Sequence, residues 1–109
     1  MTEIKSETTG TIRIADEVLA HIAGTATMEV DGVVGLTTRN KSRGVNIAVK
    51  NNHVTVGLTI SVRLGKKLQA VSRAVQERVK TAIEMMTTLT VAEVNVCVGA
   101  LINDKPRKG

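Results

Sequence analysis

Six apolar residues in strict alternation, Val54, Val56, Leu58, Ile60, Val62 and Leu64, form the strongest hydrophobic pattern in this chain. Thr55, Gly57, Thr59, Ser61 and Arg63 fall between them, and period two over this length predicts a half-buried antiparallel strand. A shorter alternation precedes it, with Val45, Ile47 and Val49 against Asn46, Ala48 and Lys50. Asn51-Asn52 joins the two; the pair tolerates positive φ and fits a two-residue hairpin turn. A last strand is expected from Val91 to about Ile102, with Val94, Val96, Val98, Ala100 and Ile102 on one face. Thr11–Ile14 and Val33–Leu36 read as short strands.

Two segments carry helical spacing instead. In the first, Val18, Leu19, Ile22, Ala23, Ala26 and Val30 recur on one side, and Asp16 and Glu17 favour the positive end of the helix dipole. Gly24 costs about 1 kcal/mol relative to Ala inside a helix, which points to a close backbone contact. Asp31-Gly32 ends the element. The second helix is expected to start near Lys66 and end around Met86–Thr88, with Leu68, Val71, Val75, Val79, Ala82 and Met86 as its apolar stripe. The order β-α-β-β-β-α-β implies an α+β fold, a single domain with two helices packed on one face of a mostly antiparallel or mixed sheet.

At 109 residues the chain holds one domain. Residues 1–10 read as a flexible N-terminal arm, 11–102 as the domain and 103–109 as a basic flexible tail. Phe, Tyr and Trp are absent, so the core is built from Val, Ile, Leu, Met and Ala, and stacking platforms for nucleic-acid bases are missing. A single cysteine, Cys97, excludes an internal disulfide and fits a reducing compartment. No apolar run approaches membrane-spanning length, and MTEIKSETTG does not resemble a secretory signal. A cytoplasmic protein, peripheral to the inner face of the membrane at most, is expected.

The net charge of +5 is unevenly distributed. Residues 1–31 hold two basic residues against six acids, whereas residues 39–80 hold ten basic residues and one acid, Glu77. Arg39, Lys41, Arg43, Arg63, Lys66 and Lys67 are therefore candidate contacts for an anion or an acidic partner. Nucleic acid bound through this segment would be held weakly, without sequence preference and with steep salt dependence. Anionic lipid would use the same cations without an insertion helix.

Signs of catalysis are thin. His21 and His53 lack a neighbouring Cys or His at metal spacing, and neither HExxH nor CxxC occurs. Cys97 has no local base, so no activated thiol is expected. Gly57, Gly65, Lys66 and Lys67 miss the spacing of a phosphate loop. Asp16 and Glu17 are adjacent and diverge by about 100° around a helix, unlike a general acid–base pair. No enzyme, metal or cofactor is expected. The polar side of the sheet is more suggestive: Thr55, Gly57, Thr59, Ser61, Asn95 and Cys97 would form a smooth face of small residues. Such a face is easier to desolvate than a charged one, permits close approach and is a candidate surface for self-association.

The segments GTIRIADEVLAHIA, EVDGVVGL, GV-x-I-x-V, V-x-L-x-I-x-V-x-L-G, AVQERVKTAIEMMT and VAEVNVCVGALI together resemble the bacterial alkaline shock proteins, also called general-stress or cell-envelope stress response proteins. The resemblance runs from about Gly10 to Ile102. It implies a non-enzymatic cytosolic protein of mainly Gram-positive bacteria that self-associates and gathers beneath the membrane through a membrane-anchored partner. Ala15 stands where the family often has Ser, so a side-chain cap on the first helix is expected to be missing.

Overall fold

The computed structural model describes residues 2–5, 11–36 and 44–103. Its centre is β5 (His53–Arg63), the strand announced by the longest alternation. Val54, Val56, Leu58, Ile60 and Val62 are all buried, while the residues between them stay half-exposed. Leu64 lies past the strand end and is 48% exposed, so the inward series stops one residue pair earlier than the pattern suggests.

Two strands share one edge of β5, end to end. β4 (Val45–Lys50) runs antiparallel to it from Val45 opposite Leu58 to Lys50 opposite His53. The hairpin turn has φ of 51° at Asn51 and 64° at Asn52, the double left-handed geometry of a type I′ turn. β3 (Val33–Leu36) takes the remaining length, with Leu36 opposite Ile60 and Val33 opposite Val62. The other edge of β5 carries β6 (Thr90–Ile102), which is parallel. That direction follows from the connection: α2 (Leu68–Met86) crosses over between β5 and β6 as the helix of a β-α-β unit. The sheet is therefore mixed.

α1 (Asp16–Met28) and α2 pack on each other and on the inner face of this sheet. Leu19, Ala23 and Ala26 of α1 meet Val71, Val75, Val79 and Ile83 of α2 over the five inward residues of β5. Each large aliphatic buried this way contributes about 1.5–3 kcal/mol, which lets a core without aromatics hold. Gly24 has the expected close neighbour: a Cβ there would sit 3.3 Å from Leu36 Cδ1 of β3. α1 starts from an extended Ala15 without a side-chain cap.

The structure departs from the sequence reading elsewhere as well: Val18, read into the stripe of α1, is 50% exposed. Thr2–Lys5, read as part of a flexible arm, is a strand, β1, paired antiparallel with β2 (Thr11–Ile14). Thr2 falls opposite Ile14 and Ile4 opposite Ile12, a backbone pairing that the polar composition of the segment conceals. The observed order is β-β-α-β-β-β-α-β. α2 starts at Leu68 rather than Lys66, because Lys67 has the extended conformation of an N-cap. Its stripe includes Ile83 and excludes Leu68 and Met86, which are 40% and 70% exposed. Finally, a register shift near Gly99 places Ala100 opposite Ser61 and Ile102 opposite Arg63, both outward residues of β5. A one-residue slip reverses the facing of everything beyond it. The residues of the proposed tail from 104 onward lie outside the described ones.

The open face and edge of the sheet

Since both helices lie on one side, the other face of the sheet is left without a covering element among the described residues. Its rows follow from the register. Asn46, Gly57 and Asn95 align across β4, β5 and β6, as do Ala48, Thr55 and Glu93, and Thr59 aligns with Cys97. Thr55, Gly57, Thr59 and Ser61 are half-exposed at the middle of the sheet, while Asn95 and Cys97 are exposed on β6. The six residues expected to share a face are thus brought together. Asn46 and Ala48 extend that face and were missed. The signal was present in the β4 alternation, whose outward Asn46 and Ala48 are as small and uncharged as Thr55, Gly57, Thr59 and Ser61 of β5, with Lys50 at its end.

The basic residues do not form a comparable group. Arg39, Lys41 and Arg43 lie outside the described residues. Lys66 is engaged: its Nζ donates to Asp31 Oδ2 at 2.8 Å. This ion pair, followed by the charge of Arg63, holds the Asp31 carboxyl below its ordinary value. Arg63 sits half-exposed at the end of β5 and Lys67 is exposed before α2.

Among the described residues, chemistry-bearing side chains do not converge elsewhere. Among the described residues no three of the His, Cys, Asp and Glu side chains are grouped for a metal ion. His53 approaches the backbone carbonyl of Asn51 at 2.8 Å, a contact internal to the hairpin. A depression along α1 is lined by Glu17, His21, Gly24, Met28 and Leu36. Its polar groups are spread along one exposed helix face rather than aimed at a common point. Two side chains of α2 instead reach the backbone of β6. Gln76 Nε2 donates to the Val94 carbonyl at 3.1 Å, and Glu84 Oε2 accepts from the Val91 N–H at 2.9 Å.

The described residues form an α+β sandwich with one open sheet face. Residues 4–102 match the alkaline shock protein 23 family, described as having a cell envelope-related function, and the chain belongs to it. This is a bacterial family of non-enzymatic stress proteins. The chain is 31% identical to YqhY of Bacillus subtilis over 80% of its own length and 73% of that protein. It is 30% identical to YloU of the same organism, over 82% and 86% respectively. A stress response regulator gls24 homolog of Streptococcus pyogenes is 28% identical over 86% of this chain and 60% of that longer protein. Among solved structures, a MamM-CTD variant superposes with a TM-score of 0.61 at 15% identity, covering 84% of this chain and 96% of that domain. At that identity the likeness is one of fold. No helix among the described residues is long and apolar enough to cross a membrane.

Proposed function

We propose that this protein is a structural or adaptor component of the bacterial envelope stress response, which self-associates and docks on a membrane-associated partner from the cytoplasmic side. The observation that carries the reading is the open sheet face, lined by Asn46, Ala48, Thr55, Gly57, Thr59, Asn95 and Cys97 across three strands. Small uncharged side chains on a flat surface cost less to desolvate than charged ones and allow close approach. Membership in a cell envelope-related family supports the same role, and so does the stress-regulator designation of the streptococcal relative. The basic segment carries less, because Lys66 is already paired with Asp31. Sedimentation velocity over a micromolar concentration series tests the proposal. Self-association is expected for the native chain, with loss in Thr59→Arg, whose guanidinium is solvated on the open face and leaves the fold intact. A native chain that remains strictly monomeric overturns the self-association reading.

A further inference from the structure

β6 pairs with another strand along one side only among the described residues. All eleven of its register positions belong to β5. Thr90 N–H donates to Asn52 O at 3.0 Å, and Ile102 O accepts from Leu64 N–H at 2.8 Å, so both ends of the strand are oriented. Backbone groups of successive residues face alternate sides of a strand. Thr90 and Ile102 therefore face β5, while Val91 and Leu101 face away. The two register shifts, at Ala92 and Gly99, each insert one residue and reset the alternation. Between them Val94, Val96 and Val98 face outward.

The contacts of α2 agree with this assignment and divide the edge. Glu84 takes the Val91 N–H and Gln76 the Val94 carbonyl, so outward groups at the start of β6 are already satisfied. At the far end the Gly99 shift turns Ala100 back toward β5. What remains is a short window whose outward backbone groups belong to Val96 and Val98. The blunting by charge or proline usual at sheet edges is absent there, since β6 has no charged side chain after Glu93.

We propose that this window pairs with the same window of a second copy, antiparallel and two-fold symmetric about Cys97. The symmetry is selected by the blocked positions. Val96 opposite itself would set Val98 against Val94, whose carbonyl Gln76 occupies. Val98 opposite itself would set Val96 against Ala100, which faces β5. Centring on Cys97 sets Val96 against the second copy's Val98 and the reverse, using about four backbone hydrogen bonds and neither blocked position. The half-exposed Val96 and Val98 side chains are then covered on the helix side. On the open face, the row of Thr59 and Cys97 continues into the second copy. The inference deepens the self-association reading: it depends on copies meeting, and it names a different contact from the face itself.

In this arrangement the two Cys97 residues form a non-hydrogen-bonded pair with Cα atoms about 4.5 Å apart, within the range a disulfide bridges. Diamide, which takes two electrons and two protons from a pair of thiols, is expected to convert most of the native chain to a covalent dimer. A chain carrying Cys97→Ser together with Asn95→Cys is the control. Its thiols would lie about 13 Å apart, four residues out of register, and little dimer is expected. A native chain that stays monomeric under diamide, or equal cross-linking in both chains, overturns the proposal. Cys97→Lys, which places two like charges opposite one another at an exposed site, is expected to weaken association about fivefold at low salt with an unchanged circular dichroism spectrum. Association retained in Thr59→Arg together with Cys97 cross-linking would defeat the face reading and leave the edge; association lost in Thr59→Arg with no Cys97 cross-linking of the native chain would defeat the edge alone.

Discussion

Lys66 Nζ lies 2.8 Å from Asp31 Oδ2, joining residues 35 apart in sequence at the point where the α1–β3 turn meets the β5–α2 link. The backbone ties the same two loops: Arg63 N–H donates to Gly32 O at 2.8 Å. The ion pair is superficial, with the Asp31 side chain 82% exposed, so its role is to orient the turn rather than to supply much stability.

The pH dependence of that pair has a definite sign. Lys66 lowers the folded-state Asp31 value below its ordinary 3.8. Any stability it adds is complete above the unfolded-state value and disappears as pH falls through the depressed folded one. Asp31→Asn is therefore expected to melt slightly below the native chain at neutral pH and low salt. The two curves should converge at strongly acid pH, and also near neutrality in molar salt. Thermal melts across pH at two salt concentrations check this. A difference that grows toward acid pH would contradict it.

Gly32 and Gly65 share a backbone conformation but differ in their surroundings. Their φ values are +99° and +98°, unfavourable for any residue with a Cβ. At Gly65 a Cβ would meet nothing within 4 Å, whereas at Gly32 it would lie 3.0 Å from Val71 Cγ2 and 3.3 Å from Lys66 Cγ. Gly65→Ala is expected to cost about 1–2 kcal/mol from backbone strain alone. Gly32→Ala adds displacement of Val71 and should cost about 1 kcal/mol more. Urea titrations of the two variants measure the difference, and equal midpoints would remove the steric part.

Ile83, not Met86, ends the buried stripe of α2. Ile83 is fully buried and Met86 is 70% exposed. Ile83→Ala should cost about 2–5 kcal/mol by leaving a cavity, while Met86→Ala should stay within about 0.5 kcal/mol of the native chain. Chemical denaturation of both variants decides which residue ends the stripe.

That difference shows what kind of information the sequence carried. Burial on β5 was legible because period two is exact for a strand, and Val54 through Val62 follow it without error. The small residues Thr55, Gly57, Thr59, Asn95 and Cys97 were legible as one face for the same reason. The α2 stripe was less secure, because 3.6 residues per turn leave several apolar positions near the border of the buried arc. Ala100 and Ile102 were misplaced because a register shift belongs to a strand pair, and neither strand alone records it. β1 escaped for a related reason: the pairing of Thr2 with Ile14 and Ile4 with Ile12 is a property of two segments together. The parallel direction of β6, in contrast, follows from the helix between it and β5.

Glu84 offers a way to measure how the edge of β6 is protected. Its Oε2 accepts the Val91 N–H at 2.9 Å, from a helix seven residues earlier in the chain. Val91 itself is buried at the start of the strand, and its N–H faces away from β5. No strand supplies an acceptor on that side among the described residues, so the carboxylate stands in for one. Glu84→Ala removes the acceptor without altering any inward side chain. The partly buried amide then opens to water, at an expected cost of about 1 kcal/mol. Amide exchange at Val91 should accelerate about fivefold or more relative to Val94 and Val96. Glu84→Gln retains an oxygen at the same reach and should keep most of the protection. Exchange followed residue by residue by NMR checks both. Uniform acceleration along β6 in Glu84→Ala would mean that the contact stabilises the whole strand, whereas unchanged exchange at Val91 would mean that this amide has another acceptor.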